Sequence, residues 1–293
     1  MSAPMETDVS VVVPVRDQAT RLAMTLHAFT LQDAEPGGWE LIVVDDGSED
    51  GAADVLAGFA DRLPLRTVRT PRAGRAAARN SGARIASGEL VVFCDADRAP
   101  VPAFVRAHRE AHARAGDGRG RGHVVVGDVR EVYLHDFEAR VEEVRQALSA
   151  PDDRLAARSR TPAFVRKVTA LFEDGEHTES PVRWLTFLSG NVSLPKRLLE
   201  ETGGFDEAFT GWGLEHLELG YRLVELGTPF RRCEAARNYH FAHRRPPGFY
   251  RRSLEESTKL FAARHPQVPA GLLLDLTLHG MPVTAFEKEV SGL

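Results

Sequence analysis

Short, nearly continuous runs of valine, isoleucine and leucine constrain the fold of this chain more than any other feature of the sequence. Such runs are typical of strands that are buried on both faces of a parallel sheet. Stretches with apolar residues at helical spacing separate them, and this alternation predicts right-handed βαβ units. We therefore predict an α/β fold with a Rossmann-like, mostly parallel central sheet that is flanked by helices. The predicted strands are Val9–Val15, Glu40–Asp45, Leu65–Arg69, Leu90–Cys94 and His123–Val126, and all of them except Leu65–Arg69 are such nearly continuous runs.

The second half of the chain has a weaker pattern. Residues 131–183 are charged with weak helical periodicity, which predicts a helical insertion that could act as a lid. Strand character returns at Trp184–Leu188 and Phe230–Cys233, and Leu214–Leu226 predicts a helix. We expect a C-terminal helical tail, with one helix over Arg252–Arg264 and irregular chain after it. The predicted divisions are residues 1–130, 131–183, 184–245 and 246–293.

Composition and charge exclude several classes of protein. The net charge is −5, from 37 basic and 42 acidic residues, so no overall basic field supports binding to nucleic acid. The two cysteines, Cys94 and Cys233, are too few for a disulfide framework and favour a reducing compartment. No signal-peptide pattern precedes the first strand, and no apolar run approaches the length of a membrane span. We therefore expect a cytoplasmic protein without a transmembrane segment, with peripheral contact to a membrane left open.

Polar side chains stand where three of the predicted strands end. Arg16 follows the first strand, Asp45 and Asp46 end the second, and Asp95 and Asp97 follow the fourth. Ligands of open α/β sheets bind outside the carboxyl ends of the strands, so we expect these groups to meet there. Two carboxylates two residues apart can supply the oxygen ligands of a hard divalent cation that also binds phosphate. For Asp46, a turn that leads into a helix is the alternative.

Four motifs in the first 100 residues resemble those of family 2 glycosyltransferases and occur in the order expected of that family. The resemblance implies the GT-A fold, whose α/β sheet binds a nucleotide sugar. A second block resembles the acceptor half of galactosyltransferase-like GT-A enzymes, which carry a Gly-Trp-Gly-x-Glu-Asp segment. The two blocks cover residues 8–128 and 184–245. The motifs are Val9–Val15 (VSVVVPV), Leu41–Gly51 (LIVVDDGSEDG), Gly74–Gly82 (GRAAARNSG) and Gly88–Asp97 (GELVVFCDAD), then Leu188–Leu194 (LSGNVSL), Gly203–Phe209 (GGFDEAF) and Gly211–Leu223 (GWGLEHLELGYRL).

The resemblance implies that residues of both blocks bind the donor. Asp46 would face the base or the ribose of the nucleoside, and Asp45 would support the same pocket. Arg75 and Arg79 carry positive charge that could meet the diphosphate or the first sugar. For Arg79, a pairing role with Asp46 or Asp95 is the alternative. The full set of implied donor-binding residues is Pro14, Arg16, Asp45, Asp46, Arg75, Arg79, Asp95, Asn191 and Trp212.

Two of these residues belong to the second block. Asn191 ends a predicted tight turn beneath the donor sugar and could bond to a sugar hydroxyl. Trp212 lies between two glycines and offers a flat face to a sugar ring, with a core tryptophan as the alternative.

The resemblance also implies a metal site, with Mn²⁺ or Mg²⁺ as the ion. Asp97 would be one ligand, and a histidine late in the sheet would be another. His240 and His243 are both candidates. On a strand the two would face opposite sides, which favours His240 as the ligand and leaves His243 to contact phosphate. Two surface histidines beside a basic turn are the alternative.

The second block departs from its family at the catalytic position. This chain has Glu215-His216 where the family usually has Glu-Asp, and in inverting members the second acid is the general base. A histidine has a reference pKa of about 6.5 and can serve as a base near neutral pH. We therefore predict His216 as the base, with Glu215 in that role as the alternative. The departure leaves open whether the reaction inverts or retains the anomeric configuration.

Together these features predict a metal-dependent glycosyltransferase. It would move a sugar from a nucleoside diphosphate, with UDP favoured, to a hydroxyl or similar nucleophile of an acceptor, with inversion favoured. The sequence leaves the acceptor open between a small molecule, a peptide and a glycan. A nucleotide-sugar-binding module without catalysis is one alternative. A sugar-nucleotide pyrophosphorylase is another, although residues 13–24 lack the Gly-rich, Lys-bearing signature of that class.

Overall fold

The computed structural model describes residues 7–34, 38–114, 122–150, 153–243 and 245–292. Within these ranges a single mixed sheet is covered by helices on both faces, which confirms the predicted α/β fold. The strands are β1 (Val9–Val15), β2 (Trp39–Asp45), β3 (Leu65–Arg69), β4 (Leu90–Cys94), β5 (Arg98–Pro100), β6 (Val124–Val132), β7 (Ser159–Arg160), β8 (His177–Thr178), β9 (Asn191–Pro195) and β10 (Phe230–Phe241). The helices are α1 (Ala19–Phe29), α2 (Ala52–Ala57), α3 (Arg75–Ile85), α4 (Phe104–Arg114), α5 (Val141–Leu148), α6 (Ala163–Thr169), α7 (Lys196–Thr202), α8 (Glu215–Glu225), α9 (Phe249–Arg264), α10 (Gly271–Leu278) and α11 (Val283–Ser291).

The first part of the sheet is parallel, and the second part is mixed. β2 and β4 pair with β1, and β3 pairs with β2, all in parallel. β9 runs antiparallel to both β4 and β6, and β10 runs parallel to β6. The strand order is β3-β2-β1-β4-β9-β6-β10-β5. Because only β9 and the short β5 reverse direction along this order, the carboxyl ends of β1, β2, β4, β6 and β10 share one edge.

β6 and β10 are both longer than the apolar runs at His123–Val126 and Phe230–Cys233 indicated. The two strands pair from Phe230 opposite Val124 to Phe241 opposite Val132, with a bulge between Cys233 and Arg237. The middle parts of both strands carry charged side chains, which interrupt the apolar pattern that predicts a strand. One of these, Asp128, is buried and pairs with Arg237 at 2.7 Å. Ion pairing therefore lets polar strand residues occupy the sheet interior.

The two faces of the sheet are covered by different helices. α3, α7 and α8 cover one face, and α1, α2 and α4 cover the other. α3 lies unusually close to β1, because a Cβ atom on Gly82 would be only 2.4 Å from Cγ1 of Val12. Glycine permits such an approach. This contact fixes the position of α3, which carries Arg75 and Arg79.

A separate apolar layer around Trp184 corrects two predictions. Trp184 lies in a 3₁₀ turn, Arg183–Thr186, and not in a strand. Its buried ring stacks on Phe261 of α9, so the apolar run at this position reflects burial of a turn. The chain after α9 forms α10 and α11 and is not irregular. Burial of Leu273 and Phe286 against the same layer explains why these two helices form.

The described part of residues 131–183 is attached to the rest of the molecule by several contacts. β7 pairs with the end of β6, and Arg158 of the neighbouring turn pairs with Glu143 of α5 at 2.5 Å. The Tyr239 hydroxyl of β10 donates to the carboxylate of Asp153. A lid function for this segment stays a prediction.

No helix within the described ranges is both long enough and apolar enough to cross a bilayer. The longest, α9, has 16 residues and carries charged side chains along its length.

Candidate active site

Asp46 fixes the loop that leads from β3 into α3. Its carboxylate accepts hydrogen bonds from the Thr70 hydroxyl at 2.7 Å and from the backbone N–H groups of Ala73 at 2.6 Å and Gly74 at 2.9 Å. A carboxylate can accept about four hydrogen bonds, so Asp46 has room for one further partner. Its predicted contact with the base or the ribose stays a prediction.

The other predicted residues of this part of the site lie at the ends of the neighbouring strands β1 and β2. Asp45 is buried, and its two oxygens accept hydrogen bonds from the Ser48 N–H at 2.8 Å and the Arg69 guanidinium at 2.9 Å. Pro14 is half-buried and Arg16 is exposed, and both stand at the end of the neighbouring strand. Asp45 is thus engaged inside the protein by Ser48 and Arg69, while Arg16 is exposed to solvent.

Arg79 of α3 links two carboxylates of the site. Its guanidinium donates to Asp95 at 2.8 Å and to Glu215 at 3.1 Å, and its side chain is only 2% exposed. The structure therefore favours the pairing role for Arg79 over contact with a diphosphate. Arg75 lies one turn earlier on α3 and is half-buried, and its charge acts on both carboxylates.

Asp95 stays ionised although it is largely enclosed. Burial raises the pKa of this carboxyl, but the charges of Arg79 and Arg98 hold the pKa well below its usual range. Arg98 lies 3.3 Å from Oδ2 of Asp95, whereas Arg79 contacts Oδ1. Asp95 is thus a fixed negative charge between two arginines.

Glu215 and His216 open α8 in different surroundings. Glu215 is 1% exposed, and its Oε2 lies 3.8 Å from Nδ1 of His216, whose side chain is 21% exposed. Burial raises the pKa of Glu215, but the neighbouring His216 and the charges of Arg75 and Arg79 lower it to about 2. Leu214, just before them, has φ of +62°, a left-handed conformation that is uncommon outside glycine. The start of α8 is therefore held in a constrained backbone geometry.

Asp97, His240 and His243 come together at the same edge. Nε2 of His240 lies 3.4 Å and Nδ1 of His243 lies 3.7 Å from Oδ2 of Asp97, and one ligand atom from each residue falls within 4.8 Å of the others. β10 ends at Phe241, so the alternation of a strand does not apply to His243, and both rings reach Asp97.

The atoms of this group are suited to a divalent cation. Within the described ranges, Oδ1 of Asp97 and both ring nitrogens of His243 are buried without a hydrogen-bond partner. Buried polar atoms are seldom left unpaired in native proteins. One carboxylate and two imidazoles that converge in this way fit a metal ion as their missing partner.

Asn191 does not reach the site, which corrects its predicted contact with a sugar. The predicted turn is present, because the Asn191 N–H donates to the Leu188 carbonyl at 2.8 Å. However, the side chain is fully buried within the sheet. Its amide nitrogen donates to the carbonyls of Asp128 at 3.1 Å and Ala236 at 2.9 Å, and its oxygen is 3.0 Å from Nε2 of His108. The amide is therefore engaged inside the protein.

Trp212 is half-buried and contributes to an aromatic cluster. Its ring centroid lies 4.8 Å from that of Tyr250 and 6.2 Å from that of Phe249. Tyr250 is 44% exposed, so the cluster reaches the surface. Contact between Trp212 and a sugar ring stays a prediction.

Two residues near the metal group were not predicted. Arg98 pairs with Asp95, and Glu131 lies 3.5 Å from Nδ1 of His240. A fifth predicted strand that extended to Val132 would have placed Glu131 near a carboxyl end, where ligands of open α/β sheets bind.

A cavity of about 480 Å³ opens beside His243. Its walls come from α1, the turn after β6 and the end of β10, and they include Arg21, Tyr133 and Phe137. The Arg21 guanidinium lies 4.7 Å from the centroid of the Phe137 ring and pairs with Glu138 at 3.1 Å. The metal group is therefore next to a volume that can admit a ligand.

Two family models match the chain. Residues 10–142 match the model described as glycosyl transferase family 2, and residues 170–244 match the model described as N-terminal domain of galactosyltransferase. The first match contains Asp95 and Asp97, and the second contains Glu215, His216 and both histidines of the metal group.

Relatives with named activities match most of the chain. The validoxylamine A glucosyltransferase of Streptomyces hygroscopicus subsp. limoneus is 34% identical over 287 residues, which cover 93% of this chain and 60% of that relative. The chondroitin synthase of Escherichia coli is 31% identical over 248 residues, which cover 82% of this chain and 35% of that relative. This chain thus spans less than two thirds of the length of either relative.

Solved structures share the fold at low identity. The mannosyltransferase PcManGT from Pyrobaculum calidifontis, in complex with GDP-Man and Mn²⁺, matches with a TM-score of 0.59 at 18% identity over 98% of this chain and 76% of that chain. S. aureus TarS 1–349, in complex with UDP-GlcNAc, matches with a TM-score of 0.58 at 17% identity over 87% of this chain and 66% of that chain.

Proposed function

Because the chain belongs to glycosyltransferase family 2 and has the GT-A fold, we propose that it transfers a sugar from a nucleoside diphosphate to an acceptor hydroxyl. The observation that carries this proposal is the meeting of the metal group with the Asp95–Arg79–Glu215 bridge at one edge of the sheet. The metal group could hold an ion that neutralises charge on the leaving diphosphate. The Asp95–Arg79–Glu215 bridge joins the donor-binding half to the segment that contains His216.

Asp97, His240 and His243 are the proposed metal ligands. The two imidazoles favour Mn²⁺ over Mg²⁺, because Mg²⁺ prefers oxygen ligands and retained water. When bound, the ion would neutralise charge that develops on the leaving diphosphate. Arg75, which is half-buried beside Asp95, is the arginine that we propose to contact the diphosphate.

UDP is the first nucleotide to test, because the motifs resemble families in which UDP-sugars predominate. GDP-sugars and dTDP-sugars are the alternatives. Glucose is the first sugar to test, because the relative that covers 93% of this chain is named as a glucosyltransferase. Validoxylamine A is the corresponding first acceptor, and an oligosaccharide acceptor follows from the chondroitin synthase relatives.

His216 is the proposed general base. Glu215 is buried and is held by Arg79, and the charges of Arg75 and Arg79 lower the pKa of its carboxyl, so it is a poor proton acceptor. His216 is adjacent and more accessible, and an imidazole can take a proton near neutral pH. In the proposed reaction His216 removes the proton from the acceptor hydroxyl as its oxygen attacks the anomeric carbon. The diphosphate then leaves from the opposite face, which inverts the configuration.

Nucleotide binding tests the proposal directly. UDP, GDP and dTDP should each be added with Mn²⁺, with Mg²⁺ or with EDTA while the unfolding temperature is recorded. A ligand at 100 times its Kd stabilises the folded state by about 2.7 kcal/mol, so the preferred pair should stand out. Asp97→Asn should remove the Mn²⁺-dependent increment, whereas Asp61→Asn, a change of an exposed carboxylate, should keep it.

Turnover separates an enzyme from a binding module. Release of UDP from UDP-glucose in the presence of Mn²⁺ and acceptor should exceed release without acceptor. Tight Mn²⁺-dependent binding with no turnover on any donor and acceptor pair would contradict the proposed transfer. An increment that is equal in EDTA would contradict the metal site.

A further inference from the structure

Glu131 of β6 stands directly beside His240 of β10. The two residues are opposite each other in the parallel register of these strands. Oε1 of Glu131 lies 3.5 Å from Nδ1 of His240, while Nε2 of the same ring lies 3.4 Å from Asp97. The imidazole is therefore placed between a carboxylate on one side and the metal group on the other.

The second oxygen of Glu131 is also held. The Tyr133 hydroxyl donates to Oε2 at 2.7 Å, and the Arg160 guanidinium lies 4.2 Å from the centroid of the Tyr133 ring. Arg160 itself is 3.9 Å from Glu131, and its side chain is 67% exposed, so this ion pair contributes little. The side chain of Glu131 is largely enclosed, and His240 is the partner toward which it is directed.

We propose that Glu131 is a positioning residue that holds His240 for metal binding. A carboxylate beside Nδ1 keeps the proton on that nitrogen, which leaves the lone pair of Nε2 facing Asp97. It also fixes the angle of the ring. Histidine ligands in many metal sites depend on such a partner, and its removal typically weakens metal binding about 10–100-fold.

This inference depends on the proposed metal site, and the experiment distinguishes the two. Mn²⁺ binding is measured with saturating UDP and no acceptor, by the electron paramagnetic resonance signal of free Mn²⁺. We expect Glu131→Gln to weaken Mn²⁺ binding about 10–100-fold while UDP binding in EDTA and the unfolding temperature stay unchanged. Glu142→Gln is the matched control, because Glu142 is an exposed glutamate of α5 that pairs with Arg145 and lies outside both the metal group and the cavity.

A double-mutant cycle with His240→Ala tests whether Glu131 acts through His240. If it does, Glu131→Gln has no further effect on Mn²⁺ binding once His240 has been removed. Additive effects would overturn the inference, and so would unchanged Mn²⁺ binding by Glu131→Gln alone. If the unaltered protein binds no Mn²⁺ in this assay, the metal site of the proposed function fails, and the inference fails with it.

Discussion

At the residue scale, the two candidate bases differ in how they are held. Glu215 is tied to Arg79 and enclosed, whereas His216 is more exposed beside it. We expect His216→Ala to lower kcat about 10²–10⁴-fold, which is the usual value of general-base assistance. Binding of UDP with Mn²⁺ should be unchanged, because His216 would act on the acceptor. Steady-state rates and nucleotide titrations check both parts.

Glu215→Gln is the control for this prediction. It keeps the shape of the side chain and removes its charge from beside Arg79. If Glu215→Gln is the severe variant and His216→Ala keeps most of its rate, Glu215 is the base. If neither variant lowers kcat and both weaken donor binding, a retaining mechanism becomes the better interpretation.

A second residue-scale prediction concerns the stability that Arg79 provides. Removing one partner of a buried ion pair leaves an uncompensated charge and costs about 3–5 kcal/mol. Arg79→Ala leaves Glu215 in this condition, so the free energy of unfolding should fall by that amount in a denaturant titration. Arg84→Ala is the control on the same helix, because the Arg84 side chain is exposed. Its effect should stay within about 0.5 kcal/mol, and equal losses in both variants would contradict the bridge.

At the element scale, the sequence predicted strands well where their residues are apolar on both faces. β1 and β4 have the predicted bounds, because continuous burial in a parallel sheet leaves a continuous apolar run. β3 also has the predicted bounds, although this strand is partly exposed and carries two arginines. β10 was predicted only to Cys233, because its later residues pair through charges such as Arg237 with Asp128. Burial of ion pairs depends on contacts between segments that are distant in the sequence. A local sequence pattern therefore cannot predict which charged residues lie in a buried strand.

The dependence on contacts between distant segments also explains which residues of the candidate site could be predicted from the sequence. Asp97 could be selected as a candidate ligand because it follows an apolar strand, whereas Glu131 could not, because the predicted strand ended at Val126. The predicted contact of Asn191 with a sugar was wrong, because a sequence motif does not determine the direction in which a side chain points. Its amide is used by β6, β10 and α4, which are brought together only in the folded sheet.

α4 and β9 share a buried network whose hydrogen bonds fix the protonation of His108. The Asn191 amide nitrogen bonds two carbonyls, so its oxygen must accept from Nε2–H of His108. Nδ1 of His108 then accepts from the Ser193 hydroxyl at 2.8 Å, and Ser193 accepts from Nε2 of His112 at 2.9 Å. This arrangement requires a neutral His108, and burial lowers its pKa to about 4.

The lowered pKa predicts a loss of stability in acid. The unfolded chain binds a proton at the ordinary histidine pKa of 6.5, whereas the folded chain resists it until about pH 4. The contribution of neutral His108 is therefore complete above pH 6.5 and is lost as the pH falls towards 4, by about 3 kcal/mol in total. In denaturant titrations, His108→Gln should be less stable than the unaltered protein at pH 7, and this gap should narrow as the pH falls to 4.

Leu194→Ala is the control for the pH dependence. Leu194 is fully buried on the same strand as Ser193 but binds no proton, so its stability gap should be constant between pH 7 and pH 4. A His108→Gln gap that is equally constant would mean that His108 does not set the acid sensitivity.

At the scale of the whole molecule, the site is assembled across the two parts of the sheet. Asp97 follows β4 in the first part, His240 lies on β10 in the second, and β9 connects the two parts. Arg79 makes a second connection, from α3 to the start of α8. A ligand that contacts both parts of the sheet should therefore stabilise both parts against unfolding, and not only the residues that it contacts.

The contacts of Glu131 extend this coupling to the segment before α6. His240 leads to Glu131, Glu131 to Tyr133, and the Tyr133 ring to Arg160 of β7. The adjoining residues Arg154 and Arg158 are exposed.

We expect trypsin to cleave after Arg154, Arg158 and Arg160 more slowly when UDP and Mn²⁺ are bound, because the ligands hold one end of this series of contacts and reduce local opening of the segment. UDP with EDTA should protect several-fold less, and cleavage at Lys288 in α11 should keep the same rate in both conditions. Mass spectrometry of the fragments over time measures each rate. Equal protection with and without metal would show that the segment responds to nucleotide alone, and no protection would contradict a lid that closes over the donor.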